Sequence, residues 1–141
     1  MFNKILVAID SSTMSKKVLE TAMQFANDQQ AEITLMHVGK EFILPQGVVV
    51  ADITTIKREM RQMGIDLLDS AKADLAKQGF EVETYYTEGS APRLIVGYAT
   101  KEQFDIIIIG SRGLGNIKEM MLGSVSHKVS KLSTCPVLIV K

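Results

Sequence analysis

Tryptophan is absent from this chain, cysteine occurs once and proline three times among its 141 residues. The single thiol, Cys135, has no partner for an internal disulfide, so nothing points to an oxidising compartment. It stands in the apolar run Cys135-Pro136-Val137-Leu138, where a buried, inert thiol is expected. Net charge is missing too, since 16 Lys and Arg balance 16 Asp and Glu. Nucleic acids and anionic membranes select a strongly basic face, so neither is expected as a main partner. No apolar run approaches the roughly 18 residues that a membrane span needs. The opening Met1-Phe2-Asn3-Lys4 leads into a strand pattern without the apolar core or cleavage site of a signal peptide. The expectation is one cytoplasmic domain over residues 1–141, with 46% apolar and 23% charged residues as in ordinary globular proteins.

Strand and helix patterns alternate along the chain. Strands are expected at Ile5–Ile9, Ile33–Val38, Phe80–Tyr86, Phe104–Ile109 and Pro136–Val140. Helical spacing covers Thr13–Asn27, where Val18, Ala22 and Phe25 share a face. A long helix, Asp52–Gln78, repeats Ile56, Met60, Met63, Leu67, Ala71 and Leu75 every three or four residues, and Gly79 stops it. Gly39–Ala51 is an irregular connection. Ser90 caps a helix over Ala91–Lys101 with Pro92 in its first turn, and a last helix runs from Ser124 to about Leu132. This alternation predicts an α/β fold, a doubly wound five-stranded parallel sheet with helices on both faces. Ile5 to Ile9 and Ile106 to Ile109 are apolar throughout, as central strands should be, whereas Glu81 and Glu83 alternate with Phe80, Val82 and Thr84 as at an edge. The strand order 3-2-1-4-5 follows. In such sheets the ligand crevice lies beyond the carboxyl ends of the strands, where the winding reverses. Here the loops after Ile9 and Ile109 flank it. The last strand is then the other edge, yet Val137, Leu138, Ile139 and Val140 are wholly apolar. Such an edge favours pairing with another chain, so a homodimer through these residues is expected unless a helix or loop covers them.

The loop after the fourth strand reads Gly110-Ser111-Arg112-Gly113-Leu114-Gly115, and Gly123-Ser124 begins the last helix. Glycine permits positive φ and close approach of a ligand to the backbone. A helix start adds unpaired N–H groups and the positive end of the dipole, which suits phosphate. Walker A chemistry is not matched, because no Lys-Ser or Lys-Thr follows Gly113 or Gly115. Nor is the dinucleotide fingerprint, since Lys118 stands where its third glycine belongs.

The spacing Gly110-x2-Gly113-x9-Gly123-Ser124 resembles that of the ATP-binding branch of the universal stress protein family. The likeness extends to Lys4-Ile5-Leu6-Val7-Ala8-Ile9-Asp10, to Gly89-Ser90-Ala91-Pro92 and to the closing Cys135–Val140, covering essentially the whole chain. What it implies is ATP, or another adenine nucleotide, with Mg2+ as a possible companion, bound by a homodimeric stress-response regulator. It implies that Ala8, Ile9 and Asp10 line the adenosine part of the pocket and that Val38 meets the adenine. Gly110, Arg112 and Gly113 would wrap phosphates and ribose, and Gly123, Ser124, Val125 and Ser126 would close around the phosphates. Ser11 departs from the glycine that many members carry after the strand-one aspartate.

Simpler roles stand beside these. Asp10, with Ser11, Ser12 and Thr13, suits capping of the first helix, and Ser124 suits an N-cap. Lys118 suits a solvated surface cation, His37 a satisfied core histidine and His127 a helix-surface histidine. Met60, Met63, Met120 and Met121 suit adaptable core or lid packing and not a metal box. Residues 116–122 and the apolar stretch 42–50 are candidates for covers over the pocket, the second also for dimer surface. No water-activating base stands out, so the expectation is no catalytic residue and at most a slow ATPase. The other alternative is a nucleotide-independent interaction dimer. A receiver domain would want an aspartate ending the third strand, where Tyr85 and Tyr86 stand. An ATP pyrophosphatase would want Ser-Gly-Gly after the first strand, where Asp10-Ser11-Ser12 stands.

Overall fold

The computed structural model describes residues 1–41, 46–47, 50–112 and 122–141. Among the described residues nine elements alternate: β1 (Lys4–Ala8), α1 (Met14–Gln29), β2 (Glu32–Gly39), α2 (Val50–Lys77), β3 (Val82–Glu88), α3 (Ala91–Lys101), β4 (Ile106–Gly110), α4 (Ser124–Leu132) and β5 (Val137–Val140). All four strand pairings are parallel and the sheet order is β3-β2-β1-β4-β5, as the composition of the strands implied.

The central strands show why they carry no polar side chain toward either core. Ile5, Val7 and Ile9 face one core with Val18, Ala22 and Ala26 of α1 and Leu68, Ala71 and Leu75 of α2. Leu6, Ile107 and Ile109 face a second core with Ile95 and Ala99 of α3 and Val129 of α4. Both faces of β1 and β4 are therefore covered. Burying an isoleucine or leucine fully stabilises the fold by about 1.5–3 kcal/mol, and Ile5, Leu6, Ile107 and Ile108 are fully buried.

Element ends differ from the sequence reading where turns intervene. β3 begins at Val82 and ends at Glu88, two residues later than its pattern suggested. Phe80 still closes α2, its N–H donating to the Leu75 carbonyl, and Gly79 makes the turn at φ +89°. Pairing of Glu88 with Gly39 then carries β3 past Tyr86. The Ser90 side chain makes no cap hydrogen bond, although Ser90 holds the N-cap position of α3. The long helix departs most. Its second half packs as expected, but Ile56, Met60 and Met63 are exposed, Met63 at 71%. Residues 54–63 are all exposed, so this half of the apolar stripe lies beyond the sheet and its core.

Asp105 closes the amino-terminal end of the sheet. One of its oxygens accepts the N–H groups of Asn3 at 2.8 Å and Lys4 at 2.9 Å. These bonds to the ionised form hold its carboxyl below the usual carboxylate range. A depressed folded-state value stabilises the fold above the unfolded carboxylate value, about pH 4, and that contribution disappears as pH falls through the folded value. Asp105→Ala is expected to lower the melting temperature at pH 7. It should also flatten the loss of stability as pH falls below about 4, which thermal melts across the acid range would measure.

Candidate functional site

The β1–β2 register ends at Ala8 and Met36, with a last bond from the Ile9 N–H to the Met36 carbonyl at 2.9 Å. β2 continues to Gly39, so Val38 stands on an overhang beyond the end of β1. At Asp10 the chain leaves the sheet in a tight turn held by local hydrogen bonds. The Asp10 N–H donates to the Ser15 hydroxyl at 3.0 Å, which donates back to the Asp10 carbonyl at 2.7 Å. The Ser12 N–H donates to Asp10 Oδ1 at 2.9 Å, an Asx turn. Asp10 thus organises the loop ahead of α1, whereas the N-cap position belongs to Thr13, without a side-chain bond. Asp10 Oδ2 has no partner among the described residues. The Ser12 hydroxyl oxygen is buried and unpartnered.

On the other side of the crevice, β4 feeds a clasp. The Ser111 N–H donates to the Val140 carbonyl at 2.7 Å, and the Ser111 carbonyl accepts the Gly123 N–H at 2.6 Å. The buried Ser126 hydroxyl lies 3.1 Å from the carbonyls of both Ser111 and Gly123. The beginning of α4 is thereby fastened beside the end of β4, with Gly123 as N-cap and Ser124 as first helical residue. Ser126 is spent on the clasp more than on any outward contact. The first turn of α4 holds no acidic residue, and it presents N–H groups that the helix does not use itself.

Between these two walls lies a cavity of about 970 Å³. Ala8, Ile9, Asp10, Val38, Gly110, Arg112, Gly123, Ser124, Val125 and Ser126 all line it. Gly113, the remaining residue of the implied set, falls outside the described residues, as do Gly115, Lys118, Met120 and Met121 and most of both suggested covers. His127 is exposed on α4. The cavity crosses the end of the sheet from one core to the other: Met14, Val18 and Leu67 belong to one side, Ile95 and Val125 to the other.

Several lining residues escaped sequence reasoning. Lys57, Met60, Met63 and Gly64 of α2 form a wall with Tyr86 and Glu88 of β3. The Tyr86 hydroxyl donates to Glu88 Oε2 at 2.7 Å, and Arg61 Nε approaches the same oxygen at 3.5 Å. Burial first, then the bond to Glu88, pushes the Tyr86 phenol up to about 12, so it remains a donor at neutral pH. His37 is satisfied, its Nδ1 lying 2.8 Å from the Ile9 carbonyl, yet it lines the cavity as well. The signal was available in Gly64. A glycine inside a helix costs about 1 kcal/mol relative to alanine, and the close approach of a ring is a reason to keep one.

The pattern of the Universal stress protein family matches residues 1–141. This chain belongs to that family. It is 46% identical over 148 residues to universal stress protein YxiE of Bacillus subtilis, with 100% of each covered. The solved structure of protein MJ0577, a universal stress protein of Methanocaldococcus jannaschii, superposes with a TM-score of 0.86 at 33% identity, covering 100% of this chain and 96% of that one. A family protein from Arabidopsis thaliana, solved with AMP bound, shares the fold with a TM-score of 0.74 at 22% identity, over 99% of this chain and 91% of that one. The five-stranded doubly wound sheet is thus the family's fold.

A Cβ at Gly64 would stand 2.4 Å from Tyr86 Cε2 and 3.1 Å from His37 Cδ2. Gly64→Ala is therefore expected to destabilise the protein by about 1–2 kcal/mol, because overpacking outweighs the gain in helix propensity. Urea denaturation measures this, with a more stable variant as the contrary result.

Proposed function

We propose that this universal stress protein binds ATP or a closely related adenine nucleotide in the cavity at the carboxyl end of its sheet. In this reading it is a cytoplasmic homodimer whose occupancy regulates a stress response. The observation that carries the reading is the convergence of Asp10, Val38, Gly110, Arg112 and the Gly123–Ser126 helix start on one cavity. These residues come from the carboxyl ends of three separate strands, β1, β2 and β4, and from the helix start that follows β4. Each supplies what one part of a nucleotide needs: a strand-end overhang for the base, a carboxylate for the sugar or base, and a helix dipole with unused N–H groups for phosphate. A relative of the same fold was solved with AMP. Gly113 completes the phosphate loop in this proposal, and Mg2+ enters only as the ion that ATP brings with it.

Dimerisation is proposed through β5. That strand pairs only with β4 in the sheet, so its other edge is unmatched among the described residues. The carbonyls of Pro136 and Val140 bond to β4, which turns the polar groups of Val137 and Ile139 outward in the alternation of a parallel strand.

Two measurements test this reading. Calorimetric titration of nucleotide-stripped protein with Mg2+–ATP should give saturable binding. Ser124→Asp should weaken it by about tenfold or more while the fold holds, because a carboxylate suits a helix start but repels phosphate. Equal affinity in the variant removes phosphate from the α4 terminus. Light scattering at micromolar concentration should return twice the chain mass, and a monomeric mass rejects the β5 dimer.

A further inference from the structure

The wall on the α2 side has no part in the nucleotide contacts proposed above, yet its residues form one connected set. At its centre stands His37. Its neighbours in β2, Met36 and Val38, face the second core, so His37 faces the first, toward α2. The Nδ1 atom lies 2.8 Å from the Ile9 carbonyl. A carbonyl only accepts, so Nδ1 carries the proton and the neutral ring is the Nδ1–H tautomer. The Ile9 residue is then held from both sides, by its N–H to the Met36 carbonyl and by its carbonyl from His37. Its peptide plane is the last one before Asp10.

The ring of His37 is itself held. Tyr86 stands against it, with ring centroids 6.1 Å apart. Tyr86 fits where two glycines leave room, since a Cβ on Gly39 would meet its hydroxyl and one on Gly64 its ring, each at 2.4 Å. Glu88 fixes the hydroxyl at 2.7 Å.

We infer that His37 is a positioning residue for the nucleotide pocket: by donating from Nδ1 to the Ile9 carbonyl it fixes the exit of β1 and so aims the Asp10 carboxylate into the crevice. The inference rests on the nucleotide reading above. Asp10 Oδ1 is held by Ser12, which leaves Oδ2 as the oxygen that the orientation of the turn serves. Ser15 and Ser12 set the shape of the turn, and His37 sets the plane from which it starts.

The test compares His37→Leu, which removes the donor, with His37→Asn, whose side-chain amide places an N–H where Nδ1 was. Mg2+–ATP affinity is measured for both, and for each combined with Asp10→Asn. His37→Leu is expected to lose about tenfold in affinity, as a binding group loses its preorganisation and a carbonyl its partner. His37→Asn should recover most of that loss. In the Asp10→Asn background His37→Leu should cost little more, because one residue acts through the other. Ring nitrogen shifts of native protein, without nucleotide, should report the Nδ1–H tautomer. Additive losses, undiminished affinity in His37→Leu, or an Nε2–H ring each overturn the inference. Native protein that binds no adenine nucleotide overturns the functional reading itself, and this positioning role with it. Native binding together with unaffected His37→Leu overturns the positioning role alone.

Discussion

Two adjacent strands without a polar side chain facing either core govern this molecule. β1 and β4 are buried on both faces, so each needs a helix layer above and below, and the chain supplies α1 and α2 to one face and α3 and α4 to the other. Because the crossovers from these strands run in opposite directions, their carboxyl ends part and leave a gap that no side chain of the core fills. The gap is a product of topology, present before any residue is chosen for binding. What the sequence adds is the furnishing of its rim: an aspartate in a serine-bonded turn on one side, and a glycine and serine clasp carrying a helix start on the other.

Both rims are stiffened by short local bonds more than by buried charge. Asp10, Ser12 and Ser15 bond among themselves, and Ser111, Gly123 and Ser126 do the same across the crevice. Serine and aspartate side chains compete well with backbone for hydrogen bonds near helix starts. Here that tendency holds loops at the ends of strands in fixed shapes. The ion pair of Arg61 with Glu88 is mostly exposed and adds little to stability, whereas the bond from the Tyr86 hydroxyl to the Glu88 carboxylate is short and its donor persists at neutral pH.

Strand order was legible because burial on two faces leaves a plain mark in composition, and so was the place of the crevice. The family resemblance that the glycine spacing carries implied the rim residues, and those that are described line a single cavity. Other features were hidden for specific reasons. The ends of β3 depend on pairing with Gly39, a long-range contact that no local pattern encodes. The exposure of Ile56, Met60 and Met63 was concealed by a helical periodicity that continues past the point where the sheet stops supporting it. His37 was read correctly as satisfied, but the identity of its acceptor, and hence its place beside the site, depends on where β1 ends.

That overrun of α2 gives the helix two unequal halves. Around Leu68, Ala71 and Leu75 its turns open only when the core opens, while residues 54–63 turn their side chains largely to solvent. Local opening free energy should therefore be lower over residues 54–63 than around Leu75, while Ile53 ahead of them is buried again. The cavity accordingly has one wall built on strand ends and one built, at Lys57, Met60 and Met63, on exposed helix turns. For the proposed nucleotide, a bulkier ligand would therefore displace the α2 side before it disturbed the central strands.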